Sequence, residues 1–284
     1  MYSKVIPYEW GFSILIWGIG IINKNPQFIM FIMSCINIIP VVIMLKNKSN
    51  NFVISIYLYI TMMLYYSAFN GIRQWIASVL LFCSLKYVIR KNLKKYIICV
   101  IIATTIHISA LIMLPVYFIV NFKPFGKKFM LVIGIFIILS FTLIPILSNF
   151  SILAQGTKYE AYTTQSAEDD GVNIFRVLVA SIPVLISFFW YSKLKAENEN
   201  RILINYSVLN VLIWILALTN TYMARFTMYF ELYNLLLYPK IINILKKNEK
   251  YVFVTIMCLC FFLYMSALLP VDSNLLPYVS VFNK

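Results

Sequence analysis

Ionisable side chains occur at a few places inside long apolar segments. Arg73 lies in AFNGIRQWIASVLLF (68–82), and the only histidine, His107, lies in CVIIATTIHISALIMLPVYFIV (99–120). An arginine at the centre of a bilayer costs at least about 2.5 kcal/mol, so an ionisable group inside a membrane segment is a candidate for function. These two residues are therefore the first candidates for a site.

Arg73 has two amide neighbours. On a helix, Asn70, Arg73 and Gln74 fall on one face because they are three and four residues apart. The alternative is that Arg73 only reaches the membrane surface with its long side chain. The amides favour a binding function, since an arginine that merely reaches for water needs no such companions.

Arg225 is a second arginine with polar neighbours. Tyr222, Tyr229 and Tyr233 fall on its helix face at positions −3, +4 and +8. The paired N–H donors of two guanidinium groups, those of Arg73 and Arg225, suit a diphosphate, and tyrosine faces suit sugar rings. The alternative is an aromatic belt at the membrane surface, where tyrosine is common in any case.

Two interpretations of His107 are open. A neutral imidazole stays buried at low cost when both nitrogens find partners, and the hydroxyls of Thr104, Thr105 and Ser109 are close enough in sequence to supply them. As a functional group, His107 serves as a base, an acid or a phosphate ligand, because histidine changes its charge near neutral pH.

Three further candidates carry charge near the ends of apolar segments. Arg176 begins a helix after an acidic stretch and is expected to add to the basic site. Glu9 is a lone carboxylate at a helix start, where a favourable interaction with the helix dipole is the alternative to a catalytic role. The EDD run at 168–170 is more typical of a solvated loop than of a cation site.

Composition places these residues in a membrane protein. The 284 residues are 62% hydrophobic and 12% charged, with mean hydropathy +0.84, whereas soluble domains carry about 25% charged residues. Apolar runs of bilayer-spanning length recur, and the sequence lacks the alternation of a membrane barrel. It predicts an all-α polytopic membrane protein, a single domain over 1–284 with about nine or ten transmembrane or re-entrant helices. The expected segments are 8–22, 26–45, 51–69, 71–90, 96–120, 129–148, 173–192, 202–219, 223–244 and 251–269.

The net charge of +14 does not indicate a nucleic-acid partner. Lysines and arginines form short clusters between apolar runs instead of one continuous basic face. The five cysteines lie in apolar segments without a C-x-x-C pair, so they are expected to pack as small apolar side chains. No metal or cofactor is expected.

The basic clusters predict an orientation. Most of the 24 basic residues fall in loops that the positive-inside rule assigns to the cytoplasm, and the acidic segment 151–172 becomes an extracytoplasmic loop. The clusters at 91–95 and 123–128 must then share a side, so segment 96–120 is expected to be re-entrant, with Pro115 as the break and His107 near the tip. A single ordinary crossing is the alternative.

Several motifs, in order along nearly the whole chain, resemble the EpsG family of Wzy-like polymerases of bacterial capsular polysaccharide and exopolysaccharide. The resemblance includes a Glu-containing segment with Glu9 and a Tyr-bearing loop with Tyr159. The motifs are PYEWGFSIL (7–15), FNGIRQWIA (69–77), HISALIMLPVYF (107–118), KYEAY (158–162), ARFTMYFELY (224–233) and LLPYVSVF (275–282).

The resemblance implies a multi-pass enzyme of the bacterial cytoplasmic membrane. Such an enzyme joins undecaprenyl-diphosphate-linked repeat units into capsular, exopolysaccharide or O-antigen-type glycan at the outer face, and works beside a flippase and a chain-length regulator. Arg73 and Arg225, with Arg176, are expected to hold the diphosphate, and His107 or Glu9 to deprotonate the acceptor hydroxyl. The residues expected to contact substrate are Asn70, Gln74, Tyr159, Tyr222 and Tyr229.

The chain departs from the family pattern at its start, where family members usually have a further helix and an outer loop with an Asp-containing motif. The residues by themselves leave three other functions open. They are a lipid-linked oligosaccharide flippase or polysaccharide transporter, a membrane glycosyltransferase or acyltransferase, and a non-catalytic subunit of the export machinery. A transporter is disfavoured because the sequence shows no internal repeat.

Overall fold

The computed structural model describes residues 9–149 and 171–272, and this part of the chain is helical without strands. The all-α class is confirmed. The helices, numbered in chain order, are α1 Trp10–Ile22, α2 Pro26–Lys48, α3 Phe52–Thr61, α4 Leu64–Asn70, α5 Ile72–Cys83, α6 Leu85–Ile89, α7 Leu93–Ile106, α8 Met113–Val120, α9 Lys127–Asn149, α10 Ile174–Phe189, α11 Tyr191–Leu194, α12 Asn198–Ala217, α13 Thr221–Ala224, α14 Glu231–Ile244 and α15 Lys247–Asp272. Two 3-10 helices, Ile108–Ile112 and Arg225–Tyr229, precede α8 and α14.

Among the described residues, three helices, α2, α12 and α15, are each long and apolar enough to cross a membrane, and α3 with α4 gives a fourth if the pair, bent by 49°, is taken as one span. Helix α12 is buried over most of its length, whereas α15 is largely exposed. The exposed surface carries large apolar groups such as Trp17, at 67%, and Leu263, at 65%. Such a surface would be unfavourable in water, so we infer that these side chains contact lipid.

Asparagine side chains cap the N-termini of five of the described helices. Each accepts a hydrogen bond from a backbone N–H of the first turn, which satisfies a donor that has no partner within the helix. The capping residues are Asn25, Asn51, Asn92, Asn173 and Asn220.

Segment 93–120 is a hairpin. The Tyr96 hydroxyl donates to the Met113 carbonyl at 3.1 Å, and the Tyr96 and Tyr117 rings lie 5.1 Å apart. In one straight helix residues 96 and 117 would be about 31 Å apart, so the chain folds back as the sequence predicts. The break is at His107, in extended conformation. The expectation that Pro115 causes it is wrong, because Pro115 lies in the first turn of α8, where a missing N–H has no helical partner to lose.

Other predicted helices are divided. The segment expected at 71–90 is interrupted at Ser84, and the one expected at 223–244 becomes α13, a 3-10 helix and α14. A break at Gly71 also separates Asn70 from Arg73. The prediction that both share one helical face is therefore wrong.

Basic clusters gather at one end of the bundle, which we call the basic end. The hairpin returns residue 120 to the level of α7's start, and Asn205 donates to the carbonyls of Val120 and Phe122 at 2.9 and 2.8 Å. In the same region Lys240 pairs with Glu197 at 3.2 Å. The opposite end of the hairpin holds His107, and we call it the site end.

Candidate active site

Close packing between α1 and α7 positions Glu9. A Cβ atom on Gly11 would lie 2.7 Å from the Thr105 carbonyl oxygen, a distance that real side chains do not adopt. Only glycine permits this approach, which brings the start of α1 against the last turn of α7. Glu9, which directly precedes α1, is thereby brought close to the hairpin break at His107.

Glu9 and Arg73 form an ion pair. Arg73 Nη1 donates to Glu9 Oε2 at 2.7 Å, and the two side chains are 34% and 12% exposed respectively. The Arg73 guanidinium also lies 5.9 Å from the centre of the Phe12 ring. Burial alone would raise the pKa of the Glu9 carboxyl, but backbone hydrogen bonds and the charge of Arg73 hold that pKa below its ordinary value. The carboxylate is therefore ionised at neutral pH.

His107 belongs to a short hydrogen-bonded chain. Its Nδ1 lies 2.7 Å from the Ser109 hydroxyl, which lies 2.8 Å from the hydroxyl of Tyr229. The Ser109 backbone N–H also donates to Nδ1, at 3.3 Å, so Nδ1 is the acceptor nitrogen and a neutral His107 carries its proton on Nε2. The hairpin tip is thus joined to the second 3-10 helix by polar contacts.

Helix α5 and the second 3-10 helix carry the two arginines and contact each other directly. Gln74 Nε2 donates to the Arg225 carbonyl at 2.7 Å. A Cβ on Gly71 would lie 3.3 Å from Met228 Sδ, so a small residue favours this contact. The Arg225 side chain is exposed and lies 5.8 Å from the Tyr222 ring centre. Arg73 and Arg225 are therefore carried by neighbouring elements at the same end of the molecule.

A second polar cluster adjoins these residues and includes a carboxylate that sequence reasoning missed. Trp214 Nε1 donates to Glu231 Oε1 at 3.1 Å, and the Arg176 guanidinium lies 5.3 Å from the centre of the Trp214 ring. Glu231 begins α14, two residues after Tyr229. The sequence feature that could have indicated Glu231 is that it is a lone acid in an apolar segment.

The family is decided by comparison with known sequences. A family model described as EpsG family matches residues 1–280, essentially the whole chain. The chain belongs to the EpsG family. No curated protein and no solved structure matches it significantly.

In this EpsG-family chain, the structure gathers most of the predicted site residues. Glu9, Arg73 and His107 meet around the hairpin tip, and Tyr229 joins them through Ser109. The remaining residues divide as follows: Gln74, Arg225 and Tyr222 are adjacent, Arg176 lies in the second cluster, Asn70 is exposed at the end of α4, and Tyr159 lies outside the described residues.

The site combines cations, a carboxylate and a hydroxyl-linked imidazole. Such groups can bind an anion and accept a proton. Within residues 9–149 and 171–272, no three His, Cys, Asp or Glu side chains are grouped to hold a metal ion.

Proposed function

We propose that this EpsG-family protein polymerises undecaprenyl-diphosphate-linked oligosaccharide repeat units at the outer face of the bacterial cytoplasmic membrane. The observation that carries the proposal is the meeting of Arg73, Glu9 and the His107 network at one end of an apolar bundle. A lipid diphosphate has its charge at the membrane surface and its tail in the bilayer, so its shape matches this distribution of polar and apolar groups. The product is a capsular, exopolysaccharide or O-antigen-type glycan.

The two arginines hold the diphosphate of the donor. Guanidinium groups bind phosphate oxygens through paired N–H donors, and α5 and the second 3-10 helix present Arg73 and Arg225 from adjoining positions. Negative charge grows on the diphosphate as it leaves the sugar. Fixed cations at that place stabilise the transition state more than the ground state, which is what accelerates a reaction.

The reaction is a glycosyl transfer that needs one base. The hydroxyl oxygen of the acceptor sugar attacks the anomeric carbon of the donor, and the bond from that carbon to the diphosphate oxygen breaks. The electron pair leaves with the undecaprenyl diphosphate, while the hydroxyl proton passes to the base. Glu9 is our choice for this base, and His107 is the alternative.

Substrate binding itself would activate Glu9. The diphosphate competes with Glu9 for Arg73, because both are anions. Once Arg73 turns to the phosphate, the carboxylate loses the partner that lowers its pKa and gains a negative neighbour, so its pKa rises. A carboxylate with a raised pKa is a better proton acceptor. The resting ion pair thus keeps the base inactive until a donor arrives.

The experiment is expression of the full chain in a strain that lacks its own polymerase but makes the lipid-linked units. The wild type should produce a ladder of long surface glycans, whereas Arg73→Ala and Arg225→Ala should leave single repeat units on the outer leaflet. Arg90→Ala is the matched control, because Arg90 is an exposed arginine close to the basic end. It should give the full ladder.

Two results would contradict the proposal. If both site variants kept the ladder at normal protein levels, the arginines would not hold the donor. If the single units accumulated on the inner leaflet instead, the protein would be acting as a flippase. Protein amount and monodispersity in detergent are measured for every variant, so that a folding failure is not taken for a catalytic one.

A further inference from the structure

A small apolar cavity lies beside the polar site, between α8, α9 and α12. Its volume is about 150 Å³. The described residues that line it are all apolar, and they include Ile112, Pro115, Val132, Phe136, Leu212 and Phe230.

The cavity begins where the polar network ends. Ile112 closes the 3-10 helix that carries Ser109, and Phe230 directly follows Tyr229. The cavity is therefore lined in part by close chain neighbours of Ser109 and Tyr229, which form the polar network.

The cavity lies at the lipid-facing surface of the bundle. Pro115 is exposed, and the neighbouring apolar side chains of Leu111, Phe118 and Leu131 are 50%, 54% and 65% exposed. In a bilayer these groups contact hydrocarbon. The described residues that line the cavity present no polar side chain to a lipid tail that enters from this surface.

We propose that this cavity binds an isoprenoid unit of the lipid carrier, close to its diphosphate; the inference rests on the proposed function. An engineered apolar cavity of about 150 Å³ binds benzene, a hydrocarbon of six carbons, and one isoprene unit has five. The cavity is short and bordered by branched side chains, which suits a methyl-branched unit better than a straight acyl chain. The rest of the tail continues into the bilayer.

The test uses photocrosslinking to the full chain in vesicles of phosphatidylglycerol and phosphatidylethanolamine. The probe is an undecaprenyl-length diphosphate with a diazirine on the isoprene unit next to the diphosphate, and mass spectrometry maps the adducts. We expect adducts on α8 and α9 residues that line the cavity. Unlabelled undecaprenyl diphosphate should remove them, whereas an excess of phosphatidylglycerol should not.

Variants on the walls separate the cavity from the lipid-facing surface in general. Val132→Phe fills the cavity and should lower the yield of these adducts by about fivefold or more, the factor that corresponds to 1 kcal/mol. Ile135→Phe is the matched control on the same helix, since Ile135 is 47% exposed and does not line the cavity; it should leave the yield unchanged. If Val132→Phe does not fold, Ile119→Phe fills the cavity from the other wall.

Adducts spread evenly over exposed residues such as Leu131, or displaced equally well by phosphatidylglycerol, would overturn the inference. That outcome would leave the polymerase proposal standing, because the glycan ladder in the complemented strain tests it separately. Conversely, adducts confined to the cavity together with no glycan ladder from the wild-type chain would remove the proposed function while the isoprenoid site remained.

Discussion

The ion pair between Glu9 and Arg73 connects two residues that are 64 positions apart in the chain. A carboxylate whose pKa is depressed by folding contributes stability above its unfolded pKa, and this stability is lost as the pH falls through the folded value. The ordinary pKa of a glutamate carboxyl is 4.5, and the folded pKa of Glu9 lies below it. The contribution is therefore complete at neutral pH and disappears only in acid.

This gives a prediction for Glu9→Gln. The variant should unfold at a lower temperature than the wild type between about pH 5 and 8. The difference should shrink as the pH falls below the ordinary glutamate pKa of 4.5 and vanish once the pH is below the lower folded pKa, where the wild-type carboxyl is also neutral. Thermal unfolding of the two purified proteins in one detergent at several pH values measures this. A difference that stays constant down to pH 3 would show that the charge of Glu9 is not what stabilises the contact.

The same variant tests the role of Glu9 as the base. Removal of a general base typically lowers a rate by about 10² to 10⁴, so Glu9→Gln should leave mainly single repeat units in the complemented strain. His107→Gln is the comparison. If Glu9→Gln polymerises normally and His107→Gln does not, the proton is accepted by His107.

We expect the hydroxyl group of Tyr229 to contribute to activity in addition to the packing of its ring. Tyr229→Phe removes the hydrogen bond to Ser109 and leaves His107 less firmly oriented. The loss of one such bond, at about 1.4 kcal/mol, corresponds to about a tenfold lower rate, measured as shorter glycan chains. Tyr238→Phe is the control, because Tyr238 is fully buried and, among the described contacts, its hydroxyl has no hydrogen-bond partner. Equal effects of both variants would indicate a packing role only.

Among single residues, the sequence indicated those whose charge is unusual inside an apolar segment. Arg73 and His107 are conspicuous because charge inside an apolar segment is unfavourable without a purpose. Glu231 was not predicted, although it is a lone acid in the same segment as Arg225 and Tyr229. The pairing of Glu9 with Arg73 could not be predicted, since periodicity within a segment carries no information on contacts between segments.

Among the elements, the contact of α1 with α7 decides whether Glu9 reaches the hairpin tip. Gly11→Val places a branched side chain where even a Cβ would be only 2.7 Å from the Thr105 carbonyl oxygen, so α1 must move away. Overpacking of this kind costs about 1–3 kcal/mol. We expect lower thermal stability together with loss of the glycan ladder.

Gly18→Val provides the control on the same helix. A Cβ on Gly18 would have no heavy atom within 4 Å, and any change in helix propensity from glycine to valine is the same at both positions. The variant should polymerise like the wild type. Loss of the ladder in both variants would mean that α1 responds to β-branching in general and not to its contact with α7.

The hairpin itself was predictable and its cause was not. The basic clusters on both sides of segment 96–120 required a return of the chain, and Tyr96 with Tyr117 shows that return. Proline was expected to make the break because it lacks an N–H. Instead, the His107 side chain accepts the Ser109 N–H, the kind of side-chain capping that usually comes from Asn or Ser. Capping by histidine is uncommon enough that a sequence pattern does not reveal it.

For the whole molecule, the asymmetry of charge between the two ends has a consequence for topology. The hairpin places Lys94 and Lys123 at the same end, although the apolar run between them in the sequence is long enough to span a membrane. Thr219 lies at the other end, between α12 and the arginine-bearing 3-10 helix. If basic loops stay in the cytoplasm, the two lysine positions face the cytoplasm and Thr219 faces outward.

Single cysteines in a cysteine-free background test this arrangement with an impermeant thiol reagent. All three positions are exposed, so differences in labelling report the side of the membrane and not burial. Thr219→Cys should react in intact cells, whereas Lys94→Cys and Lys123→Cys should react only after the membrane is opened. Labelling of residues 94 and 123 from opposite sides would mean that segment 93–120 crosses the membrane once. His107 would then lie mid-membrane, away from Arg225. It could not serve as a proton acceptor at the proposed polymerase site.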